Sequence, residues 1–299
     1  MSAATKLKGI YRSTRIEITI AFVVPVLMLG VACADVTGLP IAWWNLVPGA
    51  GVVLCLLFKS NILNNTIDID VDKRAMEQGS HKSRMYHTIL LGELTHRDMA
   101  YLYLSHIIAT LIFTCWLAIE TELIVVAFVA FGLFMSLQYN IPPFKLAYHP
   151  FPELTMLLPS TIVAVAGVQY ILISQVTLLG LFMGASFGLF SAAWFLFQSM
   201  IDYDVDKEAG KNTTPVYMGP INATIVGLMY PILGVVLLMI GAERYGLPMG
   251  KSIIIACIGT AILVRMIIYH AHNHFLAWKS SMYVAFAYGT LSATAIIML

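Results

Sequence analysis

The chain has 299 residues, of which 59% are hydrophobic and 11% charged, with a formal net charge of +1 and a mean hydropathy of +0.83. Soluble domains carry about 25% charged residues, so the polar surface that a water-soluble protein of this length needs is missing. A soluble enzyme, a disordered scaffold and a secreted disulfide module are excluded, and the near-neutral balance gives no sign of a nucleic-acid partner.

A spanning helix needs about 20 mostly apolar residues, and nine such stretches follow one another: 16–35, 40–63, 99–118, 122–139, 154–174, 177–200, 222–242, 252–270 and 281–299. The expected fold is all-α, one polytopic transmembrane domain over 1–299, with helices around a central cavity and membrane lipid outside. The start, Met1 to Arg15, is basic but leads into many further spans, so the first is expected to stay rather than be cleaved. Pro25, Pro48, Pro159 and Pro231 fall inside spans and predict kinks. Cys33, Cys55, Cys115 and Cys257 lie in apolar stretches without metal-ligand spacing and read as packing thiols.

The basic residues set the orientation. With the N-terminus in the cytoplasm, Lys6, Lys8, Arg12 and Arg15 are inside. So are Lys59 at a membrane edge, Lys73, Arg74, Lys82, Arg84 and Arg97 after the second span, Lys145, Lys207, Lys211, Arg265 and Lys279. Only Arg244 and Lys251 fall outside, which satisfies the positive-inside rule. Glu17, close to the inside interface, is expected to pair with Arg15 or Arg12.

Six of the sixteen acidic residues form two copies of one pattern, Asp68-Ile69-Asp70-Val71-Asp72-Lys73 and Asp202-Tyr203-Asp204-Val205-Asp206-Lys207. The copies follow the second and sixth spans, as an internally repeated four-helix unit with a ninth helix appended would place them. At about 100° per residue, Asn64, Asp68 and Asp72 share one helical face and Asp70 leaves it. Asp202 and Asp206 likewise share a face and Asp204 does not. Two carboxylate pairs facing each other across a cavity need cations between them. Oxygen-only donors select a hard divalent ion, and Mg²⁺ bridging to phosphate is the common arrangement. Lys73, Arg74, Lys82, Arg84, Lys207 and Lys211 ring the same surface, as a polyanion requires. His270, His272 and His274 near the end of the eighth span read as a polar inside loop.

On these residues the chain resembles the UbiA superfamily of intramembrane prenyltransferases. That family's NDxxDxxxD motif, in an NN variant, is matched by Asn64-Asn65-x-x-Asp68-x-x-x-Asp72. Its DxxxD motif with a following Gly and Thr is matched by Asp202-x-x-x-Asp206 with Gly210 and Thr213, and its Tyr–Lys element by Tyr139 and Lys145. Pro152-Glu153-Leu154-Thr155, Gly167-Val168-Gln169-Tyr170 and the Asp206-to-Thr213 run are most similar to the naphthoate (menaquinone) branch. The first motif is closer to the haem O synthase style. Departures at Gln198–Ile201 and at Ser83-Arg84-Met85 bear on the acceptor, and the metal and diphosphate positions are kept.

The resemblance implies that Asp68, Asp72, Asp202 and Asp206 bind Mg²⁺ and, through it, an isoprenoid (prenyl) diphosphate. It implies that Asn64, Arg15, Lys82, Arg84, Lys145 and Lys211 contact the diphosphate, and that Tyr139 steadies the allylic cation by its ring face. Trp43, Trp44, Trp194 and Phe197 are further candidates to line the cavity. Prenyl transfer to an aromatic, quinone-precursor-like acceptor is the first expectation, and an intramembrane terpene cyclase the alternative. A transporter or lipid-binding membrane protein is the non-enzymatic alternative, disfavoured because charges crowd the cytoplasmic edge and leave the span centres nearly free. A CDP-alcohol phosphotransferase is disfavoured because neither aspartate pattern contains Asp-Gly.

Overall fold

The computed structural model describes residues 2–78, 85–247, 250, 254, 257–261, 264–265 and 273–298. The chain opens on a short amphipathic helix that the span count did not include, α1 (Ala3–Ser13), capped by Ser2, whose side chain accepts the Thr5 amide. Lys6 pairs with Asp98 at 2.7 Å, and Arg12 and Lys8 pair with Glu93 at 2.8 and 3.4 Å. These pairs staple α1 to the first turn of the third long helix and to the segment that leads into it. The chain then turns through Arg15, in the left-handed region at φ 49°.

The long helices follow: α2 (Ile16–Asp35), α3 (Leu46–Ile67), short α4 (Ile69–Glu77), α5 (His96–Glu120) and α6 (Ile124–Asn140). Next come α7 (Leu158–Ile173), entered through a π-helical turn at Glu153–Leu157, α8 (Leu178–Ile201), short α9 (Tyr203–Glu208) and short α10 (Thr214–Met218). The last two are α11 (Pro220–Arg244) and α12 (His274–Ile297). Seven helices among the described residues are long and apolar enough to cross a membrane, which makes this a multi-pass membrane protein. α6, the expected fourth span, is apolar but shorter, with 17 residues. Most of the expected eighth span, 252–270, lies outside the described residues, as do His270 and His272; seven of the nine expected spans are matched by helices of spanning length among the described residues.

Two boundaries differ from expectation for local reasons. The second span begins at residue 46, after a 3₁₀ turn at Trp43–Asn45, and continues to Ile67. The last begins at His274 because the Asn273 side chain caps the Leu276 amide. Lys279 is accommodated on that helix by reaching Glu17 at 3.4 Å, so Glu17 pairs there and with the Tyr11 hydroxyl rather than with Arg15 or Arg12. Pro25 and Pro231 are inside helices, and Pro48 falls in a first turn, where no helical amide is lost and no kink is required. Pro159 follows directly on the π-helical turn at Glu153–Leu157, which breaks the regular hydrogen-bond ladder there.

α8 is the centre of the bundle, packed against α7, α11, α12 and α2, with Phe187, Phe190 and Phe197 fully buried and Phe190 stacked on Tyr288 of α12, ring centres 3.6 Å apart. Without a hydrophobic force between helices in lipid, close approach relies on small residues and a few polar ties. A Cβ on Gly184 would stand 2.9 Å from the Ile162 Cα, and the fully buried Gln169 donates to the Cys33 carbonyl at 2.8 Å, tying α7 to α2. Outward, Leu104, Ile108, Leu111 and Ile112 of α5 are exposed, as hydrocarbon surroundings allow. Of the cysteines, Cys33 packs in the core and Cys55 is half-buried, whereas Cys115 and Cys257 face outward.

Candidate active site

Both aspartate motifs bend the helix that carries them. The backbone leaves helical geometry at Asp68 (φ −90°, ψ 19°) and at Asp202 (φ −100°, ψ 14°), separating α3 from α4 and α8 from α9. Yet the bonds across each break persist, Asp72 N–H to Asp68 O at 2.8 Å and Asp206 N–H to Asp202 O at 2.7 Å. The four-residue periodicity therefore survives the bend. Asp68, Asp72, Asp202 and Asp206 all line one cavity of about 300 Å³, while Asp70 and Asp204 are exposed. The helical face that each aspartate pair was expected to share is kept through the bend.

The first motif is held by its neighbours. Asp68, buried, accepts from Lys211 Nζ at 3.0 Å, from the Tyr148 hydroxyl at 3.3 Å and from Asn64 Nδ2 at 3.3 Å. Asn64 also donates to Asn140 Oδ1 at 3.1 Å and accepts from the Arg15 guanidinium at 3.1 Å. Arg15 lies with its guanidinium 5.4 Å from the Tyr86 ring centre. The left-handed turn at Arg15 is fixed by α3, where Asn61 Nδ2 donates to the Thr14 carbonyl at 2.9 Å and Asn65 Nδ2 to the Ser13 carbonyl at 3.4 Å. Asp72 meets His87 Nε2 at 3.4 Å. Burial lowers the His87 imidazole below its ordinary range, with Asp72 pulling the other way.

The second motif meets the first through Lys211. Its ammonium is 3.9 Å from Asp206 and 3.0 Å from Asp68. Burial alone would lower the Lys211 ammonium, but the two carboxylates outweigh it and hold it above the ordinary lysine range. The Tyr148 phenol is raised by burial and by Asp68, and its ring lies 4.9 Å from Lys211 Nζ and 3.5 Å from Lys145 Nζ. Lys145 thus reaches Asp68 only through Tyr148. Behind Asp206, the Thr213 hydroxyl lies 3.5 Å away. The next residue, Thr214, donates to Glu153 at 2.9 Å, and Tyr230 donates to the same carboxylate at 3.2 Å. Glu153, fully buried, is what anchors this loop.

Among the described residues no three His, Cys, Asp or Glu side chains converge as a closed metal site. The cation between the motifs is a lysine. The remaining donors are carboxylate oxygens on a cavity wall, a set that suits a hard ion taking its other ligands from phosphate and water. Lys82 and Arg84 lie outside the described residues. Tyr139 lines the cavity, edge-on to Phe195 with ring centres 5.9 Å apart. Trp194 lines it as well, together with Phe22, Phe128 and Phe195. Trp43 and Trp44 are instead exposed at the far ends of the helices, and Phe197 packs into the core against Gly227. Sequence reasoning missed Tyr148, His87 and Asn140, which touch the motifs from other elements without motif spacing of their own. It also placed Lys59 at a membrane edge, whereas the structure buries Lys59 completely against Ser136 of α6.

Comparison with solved structures finds the same fold in several proteins. A UbiA homologue from Aeropyrum pernix matches with a TM-score of 0.66 and 21% identity, covering 95% of this chain and 98% of its own. A UbiA homologue from Archaeoglobus fulgidus bound to GPP and Mg²⁺ matches with a TM-score of 0.63 and 17% identity, covering 94% of this chain and all of its own. A digeranylgeranylglyceryl phosphate synthase structure matches with a TM-score of 0.62 and 14% identity, covering 98% of each chain. Comparison with curated protein sequences finds no match. The UbiA prenyltransferase family matches residues 22–292, nearly the whole chain, so this protein belongs to that family.

Proposed function

We propose that the chain is an intramembrane prenyltransferase that ionises an isoprenoid diphosphate at the two aspartate motifs and passes the prenyl group to an acceptor. The observation that carries this reading is the convergence of Asp68, Asp72, Asp202 and Asp206 on one cavity end above an apolar, aromatic wall. Relatives of the same fold that hold GPP or DMAPP together with Mg²⁺ support it. Asp68, Asp72, Asp202 and Asp206 hold Mg²⁺, which when bound neutralises charge on the diphosphate leaving group.

Lys211, Arg15 and Asn64 bind diphosphate oxygens and orient the C1–O bond toward the cavity, with Lys145, Lys82 and Arg84 at the mouth. When that bond breaks, its electron pair leaves with the diphosphate and positive charge develops on the allylic carbons. Tyr139, Trp194 and Phe195 present ring faces and edges to that cation, and Phe22, Val52, Leu56 and Phe128 keep water away. An electron-rich acceptor atom then bonds to C1 and loses a proton. The chain works as a single transmembrane domain, with its N-terminus and aspartate motifs on the cytoplasmic side, where fifteen of seventeen basic residues fall.

The aromatic wall would serve cyclisation as well as transfer, so the product profile is the test. Purified protein is given Mg²⁺ and a panel of prenyl diphosphates, with and without dihydroxynaphthoate or hydroxybenzoate. Turnover that requires an acceptor and yields a prenylated acceptor supports transfer. A cyclic hydrocarbon or alcohol formed without acceptor makes the protein a cyclase.

A further inference from the structure

Lys59 has no part in the reaction above, yet it lies in α3 nine residues from Asp68, about 13 Å deeper into the bundle by helical rise. Its side chain is completely buried. Among the described residues it makes no ion pair, and its ammonium donates to the Ser136 hydroxyl. A cation in a membrane-spanning helix is expensive to insert and is normally paired. Arg15 and Lys211, the cations that line the cavity, are already engaged by Asn64 and by Asp68, whereas Lys59 lies behind the wall and reaches it through Ser136.

The partner, Ser136, lines the same cavity as the aspartates. Its Oγ accepts from Lys59 and gives its own hydrogen to the Leu133 carbonyl at 3.1 Å. A hydroxyl whose lone pair is held by an ammonium is a strong donor, and its hydrogen can turn from Leu133 into the cavity. Ser60 and Asn61, beside Lys59 on α3, add polar groups to the wall there. Ser136 is three residues from Tyr139 along α6, a rise of about 4.5 Å. That is the span of one aromatic ring or a three-carbon unit.

We propose that Ser136, backed by Lys59, is an oxyanion subsite that receives an acidic group, carboxylate or phosphate, of the prenyl acceptor. The proposal rests on the transferase reading and deepens it. With its nucleophilic atom beside Tyr139, an acceptor of that length places its acid on the Ser136 hydroxyl and completes the ion pair that the protein leaves open. Lys59 is a positioning residue, acting through Ser136, and the neutral counterpart of such an acceptor leaves the ammonium uncompensated.

The test is acceptor selectivity in full-length protein in lipid nanodiscs, with Mg²⁺ and geranyl diphosphate. Two pairs of acceptors are compared, 4-hydroxybenzoate against phenol and glycerol 1-phosphate against glycerol, so that the active pair tells carboxylate from phosphate. The wild type is expected to prefer the acid of one pair at least tenfold in kcat/KM. Lys59→Met and Ser136→Ala are expected to raise KM for that acid at least tenfold while the neutral analogue's KM stays, and Lys59→Arg to recover most of the loss. A wild type indifferent to the acid, or variants that raise both KM values alike, overturns the proposal. The wild-type comparison stands even where a variant fails to fold. Absence of Mg²⁺-dependent diphosphate release from the wild type would overturn the transferase reading and this inference with it. Acceptor indifference in an enzyme that releases diphosphate overturns this inference alone.

Discussion

Lys211→Met separates the electrostatic role of the lysine from its bulk, since methionine keeps most of the side-chain length and removes the charge. Lys211 Nζ lies 3.0 Å from Asp68 and 3.9 Å from Asp206, so the two carboxylate oxygens are less than about 7 Å apart. All three side chains are buried. Without the ammonium, two negative charges at that distance repel by about 2 kcal/mol at an effective dielectric of 20, and breaking a buried pair by removing one partner costs about 3–5 kcal/mol. A loss of about 3 kcal/mol is expected in EDTA. Saturating Mg²⁺, binding at the same carboxylates, should restore most of it. Unfolding in detergent micelles, followed by tryptophan fluorescence with EDTA or with Mg²⁺, measures both terms. An equal loss in the two conditions, or none in EDTA, would refute the assignment of Lys211 as the counter-ion between the motifs.

The ring at Tyr139 should matter more than its hydroxyl. Tyr139→Phe is expected to stay within about fivefold of wild-type turnover, and Tyr139→Leu to lose about tenfold or more in kcat, the value of a desolvated cation–π contact. His87 is lowered from its ordinary 6.5 by burial, so the folded protein takes up its proton later than the unfolded chain does. Stability that is full above pH 6.5 is therefore lost as the pH falls below it. Urea unfolding in metal-free buffer should show that decline, and His87→Gln should flatten it. Gly184→Val forces a side chain against the Ile162 backbone, 2.9 Å from its Cβ, and should destabilise the bundle by about 1–3 kcal/mol, read as a lower Tm at unchanged diphosphate KM.

What could be read from the sequence followed from two periodicities. Apolar runs of spanning length located seven helices, several to within two or three residues, because lipid forces every backbone group into the helix that carries it. The four-residue spacing of Asp68 with Asp72 and of Asp202 with Asp206 survives the bends, which is why the cavity-facing carboxylates were separable from Asp70 and Asp204. The bends themselves have no sequence mark. Lys211 was legible as a basic neighbour of the motif but not as the ion bridging both motifs, since Asp68 is 143 residues away in the chain. Trp43, Trp44 and Phe197 were misplaced because aromatic composition does not say which face of a helix meets the cavity. Lys59 was assigned to the interface on charge alone, and only its contact with Ser136 shows that it points into the protein.

The central claim, that the paired aspartates ionise a prenyl diphosphate, is tested most directly by Mg²⁺-dependent diphosphate release from radiolabelled geranyl diphosphate in the presence of an acceptor panel. Wild-type protein should release diphosphate only with Mg²⁺. Asp68→Asn and Asp202→Asn should lose about 10²–10³-fold or more, the scale for removing a charge-stabilising group. Asp70→Asn and Asp204→Asn, whose side chains are exposed, should remain within about threefold. Release that is independent of Mg²⁺, or equal in the Asp68 and Asp202 variants and the wild type, would contradict the account.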